Sequence, residues 1–250
     1  MAATESADTR PAVEQGAPVI LNLGCGQKTS PRAVNIDFSI HLRLRKHLPD
    51  RLAPLIFTGQ RLELYRSIDG EIMVHDLRKG IPAETGTVDA VYHSHVLEHI
   101  DRTAVPGFFR EVHRVLRPGG IHRIVCPDLE RLTRAYLASL EAEAPDHDRR
   151  VVAMIEQSVR REAHGSSIQR PWRRRLENAL LGDARKRGET HQWMWDRVNL
   201  RHALEEAGFH SVSVMAHDRS QIPDWDAIGL DRDADGGEYK RGSLYVEATR

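Results

Sequence analysis

The 250 residues contain only two cysteines, Cys25 and Cys126, far apart in the chain. That scarcity excludes a disulfide framework or a cysteine-built zinc site and suits a reducing compartment, so a cytoplasmic location is expected. Neither charge is in excess: 36 basic residues face 36 acidic ones. The field of the whole molecule therefore makes no case for nucleic acid or an anionic membrane as partner. No stretch approaches the roughly 18 apolar residues of a membrane span. The opening MAATESADTRPAVEQGAP has neither a basic nor an apolar region of the secretory kind. Residues 1–17 read as a disordered arm. One further absence is local. The apolar run VILNL ends in Gly24-Cys25-Gly26, and Gln27 and Lys28 follow where a third glycine would complete a dinucleotide loop.

What is present reads as one α/β domain over 18–250, with 40% hydrophobic and 29% charged residues. Short apolar strands alternate with helical stretches, which predicts a mainly parallel, doubly wound sheet. Strands are expected at Val19–Leu23, Ala33–Ile36, Ile72–His75, Asp89–Tyr92, Ile121–Cys126, Val212–Ala216 and Leu244–Ala248. Helices are expected at about Thr103–Leu116, stopped by the turn RPGG, and over 197–208. A basic helical insert at 38–68 and a helical insertion at about 131–190 interrupt the alternation. The acidic, glycine-rich stretch DRDADGGEYKRG at 231–242 reads as an exposed, mobile loop.

In open α/β sheets ligands bind beyond the carboxyl ends of the strands. There the chain places Gly24-Cys25-Gly26 after the first strand, Asp37 after the second, Asp76 after the third and His93-Ser94-His95 after the fourth. A carboxylate after the second strand can accept from both hydroxyls of a ribose. One after the third can accept from an adenine amine. The loop has neither a G-x-G-x-x-G nor a Walker pattern. An adenosine without a pyrophosphate points to S-adenosylmethionine.

The segments LNLGCGQK, VNID, HDL, VDAVYHSHVLEHI and EVHRVLRPGGIHRIVCPDLERL, in this order, resemble the motifs of class I S-adenosylmethionine-dependent methyltransferases. With HQWMWD at 191–196, EEAGF at 205–209 and SLYVEATR at 243–250, the chain resembles the type 11 group of bacterial polysaccharide and secondary-metabolite gene clusters. That resemblance implies a seven-stranded Rossmann-like sheet whose last strand is antiparallel. It implies that Gly24, Cys25 and Gly26 pass under the methionine part of the cofactor, beside Asn22. Asp37 would hold the ribose, Asp76 and the Leu77 amide would read the adenine, and His93 with Ser94 would face the methyl-bearing end. Ten residues between Gly26 and Asp37 leave too little chain for a full crossover helix.

His95 and His99 are candidate bases for an acceptor hydroxyl; His99 packing on its helix, with Glu98 paired locally, is the plainer alternative. Their i, i+4 spacing also suits a metal pair, but no third ligand lies nearby in sequence and no metal is expected. His191 and Trp193 are candidate acceptor contacts, or else HQWMWD docks the insertion onto the core. RPWRRRL at 170–176 is either an anion grip or a solvated helix face. Cys25 reads as a small turn residue, not a nucleophile. The expected activity is O-methylation of a sugar, glycan or small metabolite. N- or C-methylation, and a non-catalytic relative that only binds cofactor or a partner, remain open, as does the oligomeric state.

Overall fold

A computed structural model describes residues 18–38, 42, 62, 72–157 and 191–250. The expected arm at 1–17, nearly all of the basic insert, the 158–190 part of the second insertion and RPWRRRL lie outside the described residues.

Seven strands form one sheet in the order β3-β2-β1-β4-β5-β7-β6. They are β1 (Ile20–Leu23), β2 (Val34–Asp37), β3 (Met73–Val74), β4 (Val88–Ser94), β5 (Leu116–Pro127), β6 (His210–Met215) and β7 (Ser243–Thr249). The pairs from β3 through β5 are parallel, and β7 runs antiparallel to both β5 and β6. This is the expected architecture. All four residues of β1 are buried, as a central strand covered on both faces requires. Strand order reverses between β1 and β4, so their carboxyl ends flank the ligand crevice.

Helices cover one face. In α1 (Val105–Val115) the buried Val105, Phe109, Val112 and Val115 recur at helical spacing. They share a core with Leu200 and Leu204 of α4 (Arg197–Glu206). The opposite face buries Tyr92, Val125 and Tyr245 against Trp225 and Ile228 of the short α5 (Trp225–Ile228). In chain order between α1 and α4 come α2 (Leu129–Glu141), capped by the Asp128 carboxylate, and α3 (His147–Gln157), which packs on α2. No helix among the described residues is long and apolar enough to cross a membrane.

Two local expectations change. RPGG does not stand apart as a turn between helix and strand: α1 ends at Val115 and β5 begins at Leu116. Val88 pairs with Leu116 and Ala90 with Ile121, so the sheet brackets Arg117–Gly120 as a bulge. The stretch at 231–242 is anchored at its start, because Asp231 is buried and Leu230 fully so.

Candidate active site

The connection from β1 to β2 contains no helix. Residues 24–33 fold as two turns, with Lys28 N–H donating to the Cys25 carbonyl and Ala33 N–H to that of Ser30. Two buried asparagines, facing each other across β1 and β2, supply the hydrogen bonds that a helix would have supplied. Asn22 Nδ2 donates to the Lys28 carbonyl at 2.8 Å and to Asn35 Oδ1 at 3.0 Å. Asn35 accepts the Ser30 N–H and donates back to the Ser30 and Ala33 carbonyls. Asn22 is thus occupied in holding the glycine turn on β2.

Both glycines need their freedom. Gly24 has φ +62°, and a Cβ there would lie 2.5 Å from Val96 Cγ2; Gly26 has φ +53° and faces open space. Lys28 reaches outward, its Nζ donating to the Arg232 carbonyl at 2.5 Å with the Tyr239 ring beneath it. Cys25 is buried, and burial pushes its thiol up to about 12, so it stays protonated and unreactive.

Asp37 ends β2 half-buried, and its Oδ2 accepts the Gly26 N–H at 2.9 Å. The glycine turn and the carboxylate therefore form one unit. Asp76 follows β3 and caps the 3-10 turn Leu77–Lys79. Its two oxygens take Nε and a terminal nitrogen of Arg78 at 2.8 and 2.7 Å, which holds its carboxyl below the usual range. Arg78 is largely exposed, so this pair is weak. Leu77 packs at the edge of the main core.

The three residues after β4 separate sharply. His93 is fully buried on the helix-covered face, its Nε2 3.0 Å from Nε2 of His122 and its ring against Phe108. Burial lowers its pKa to about 4, so the imidazole is neutral. Ser94 ends the strand, half-buried. His95 stands at the crevice with φ +53°, a conformation that a non-glycine residue keeps only when its surroundings impose it. Its N–H is held by the Val125 carbonyl. Nδ1 lies 3.2 Å from Glu98 Oε1, and Nε2 lies 2.9 Å from the Ser243 hydroxyl.

Glu98, in sequence only a local partner of His99, is central. Its side chain is fully buried in the 3-10 turn Leu97–His99. Burial pushes its pKa up, but the His95 and His99 imidazoles outweigh burial and the net shift is downward, so the carboxylate is charged. The Glu98 carbonyl accepts the Gln192 N–H at 2.6 Å, which docks the start of HQWMWD on this turn. His191 stacks edge-on against His99 with ring centroids 4.9 Å apart. Trp193 packs on the core and carries the Arg102 guanidinium 4.1 Å from its ring centre. Trp195 is buried, and Asp196 caps α4 in a capping box with Asn199. Ser243, Asn35 and His122 had no sequence signal pointing to these roles; only the sheet register assembles them.

A methyltransferase domain family model matches residues 55–124, under a third of the chain, spanning Asp76 to His99 but not the glycine turn. No curated protein matches. Among solved structures, the chain is similar to a SAM-dependent methyltransferase from Archaeoglobus fulgidus at 14% identity and TM-score 0.43, covering 94% of this chain and 87% of that one. It is similar to one from Mesorhizobium loti at 18% identity and TM-score 0.42, covering 96% and 94%. A third likeness, from Aquifex aeolicus, has 13% identity and TM-score 0.40 over 93% and 82%. The family-model match and the strand order, with a glycine turn tied to Asp37 at the sheet's reversal point, make this protein a methyltransferase whose cofactor is S-adenosylmethionine.

Proposed function

We propose that this enzyme methylates a hydroxyl group of a sugar, glycan or related small metabolite in the cytoplasm, with His95 taking the hydroxyl proton. The observation that carries the reading is the setting of His95. Its Nδ1 faces a buried carboxylate and its Nε2 already meets a hydroxyl, that of Ser243. With its ring proton on Nδ1, near the Glu98 carboxylate, Nε2 presents its lone pair, and the Ser243 O–H donates to it. An acceptor hydroxyl taking the place of Ser243 would be held by the same lone pair.

S-adenosylmethionine, when bound, supplies a methyl group on a sulfonium that is already a good leaving group. The chain's residues do the rest. The turn Gly24–Gly26 gives the cofactor's amino-acid end close approach to backbone, and Asp37 offers a carboxylate to the ribose. Asp76 and the Leu77 amide are assigned to the adenine. Trp193 and His191 are assigned to the acceptor side, next to Glu98. Catalysis then rests chiefly on positioning the acceptor oxygen for in-line attack, while its proton passes to His95 Nε2.

Methyl-labelled cofactor incubated with a panel of hydroxylated acceptors tests this. His95→Asn is the suitable variant, since asparagine tolerates the left-handed backbone at this position. We expect turnover to fall about 100-fold or more, with S-adenosylhomocysteine affinity retained. Unchanged turnover would remove His95 from the reaction, and label recovered on nitrogen or carbon would favour the N- or C-methyl reading.

A further inference from the structure

We propose that Glu98, His99 and His191 form a binding site for a borderline divalent metal ion of the Zn2+ class. Each residue offers one ligand atom, and the three atoms lie within 4.8 Å of one another. The sequence offered His95 and His99 as a pair lacking a third ligand. The fold instead joins His99 to its neighbour Glu98 and to His191 from a distant part of the chain.

Three observations point to a cation here. The first is the state of Glu98. It is fully buried, yet neither carboxylate oxygen accepts a hydrogen bond among the described residues. His95 Nδ1 is near Oε1, at 3.2 Å, but not in line for a hydrogen bond. A buried carboxylate that accepts no hydrogen bond is costly, and a cation is its ordinary remedy. The second is the tautomer of His191. Its Nδ1 lies 2.8 Å from the Gln157 carbonyl, to which it can only donate. Nε2 therefore carries the lone pair. A backbone carbonyl holding one ring nitrogen of a histidine whose other nitrogen ligates is the usual second contact of a metal-binding imidazole. The third is the donor set: two imidazoles and one carboxylate suit zinc and neighbouring first-row ions and do not suit Mg2+ or Ca2+.

Ligand atoms about 2.1 Å from a tetrahedral ion sit roughly 3.4 Å apart. The three atoms, within 4.8 Å of one another, would have to close to that spacing on binding, while Gln157 holds His191. With three protein ligands, the remaining positions go to water, as in open zinc sites. One Glu98 oxygen on the metal leaves the other facing His95, so the ion would also hold the carboxylate that orients this histidine. It would tie the turn after β4 to the segment leading into α4, reinforcing the Gln192 hydrogen bond to the Glu98 carbonyl.

The test uses the full chain, untagged and stripped with a chelator. Zn2+ is titrated calorimetrically, stoichiometry is read by mass spectrometry of bound metal, and Co2+ is substituted to read its visible ligand-field bands. One equivalent of Zn2+ is expected, with Co2+ bands of a nitrogen- and oxygen-ligated site. Glu98→Gln and His191→Asn should each weaken binding more than about 100-fold, beyond what loss of an outer-shell partner costs. His191 is only half-buried, so its variant decides the matter if Glu98→Gln fails to fold. Absence of stoichiometric metal on the wild-type chain overturns the proposal, as does a His191→Asn variant that binds like wild type. S-adenosylhomocysteine titrated into the same samples keeps the two readings apart. Metal bound without cofactor counts against the methyltransferase site, and cofactor bound without metal counts against this one.

Discussion

Arg123 Nε meets Asp231 Oδ2 at 2.7 Å, with both side chains shut off from water. The same guanidinium reaches Glu247 at 2.7 Å and the Arg219 and Ala216 carbonyls, between the rings of Trp225 and Tyr245. Asp231 in turn accepts from the Tyr92 hydroxyl and the Trp225 indole. This network locks β4, β5, β7 and the stretch after α5 together on the face opposite α1 and α4. Removing one partner strands a buried charge. Asp231→Ala should lower unfolding stability by about 3–5 kcal/mol. Denaturant melts at neutral pH check this, and a loss below about 1 kcal/mol, the worth of a surface pair, would count against the network.

Gly24 is placed against Val96, the residue that follows His95. Gly24→Ala would force a Cβ to within 2.5 Å of Val96 Cγ2 at a backbone φ of +62°. Left-handed strain of about 1–2 kcal/mol and overpacking of about 1–3 kcal/mol both oppose it. Cofactor affinity and turnover should fall together, since the clash pushes on the turn that carries His95. Adding Val96→Ala should restore part of the stability lost, and a double-mutant cycle measures that coupling. Strictly additive losses would show that the contact is not the cause.

Asp37 holds the glycine turn through the Gly26 N–H and is assigned to the ribose. Loss of hydrogen bonds to a charged group should weaken S-adenosylhomocysteine binding about 10- to 100-fold in Asp37→Ala. Calorimetric titration checks this. Unchanged affinity would move the ribose away from β2.

The His93–His122 pair gives the fold an acid limit. Burial lowers His93 to about 4 and His122 well below its usual value, so both are neutral when folded. Unfolded, each titrates near 6.5. The folded pKa is the lower one, so stability is complete above about pH 6.5 and is lost as pH falls towards 4. Each histidine contributes about 1.4 kcal/mol per pH unit over that window, roughly 3 kcal/mol for His93. Urea melts between pH 7 and 5 should show the decline. Both Nδ1 atoms lack hydrogen-bond partners among the described residues, so His93→Leu with His122→Leu should fold and flatten the slope. An unchanged slope in that double variant would assign the acid sensitivity elsewhere.

The strand alternation, the glycine turn and the strand-end carboxylates were legible because each is local. An apolar run of four residues, two glycines and an aspartate carry their meaning at short range, and the seven strands and α1 appear within a few residues of expectation. The missing third glycine and the short step from Gly26 to Asp37 were also legible as an anomaly. Its solution was not, because Asn22 and Asn35 meet only when β1 and β2 lie side by side. Histidines at 93, 95 and 99 looked like one cluster in the sequence. The pleat of β4 sends His93 into the core against His122, while the left-handed turn after it leaves His95 at the crevice. His99 finds His191 only through the fold. Spacing along the chain thus determined the class of sheet and the carboxylates at its edge. Which polar side chains face a ligand, which are buried against each other and which meet around Glu98 was decided by tertiary packing, because register and burial are properties of neighbouring strands and not of any one of them.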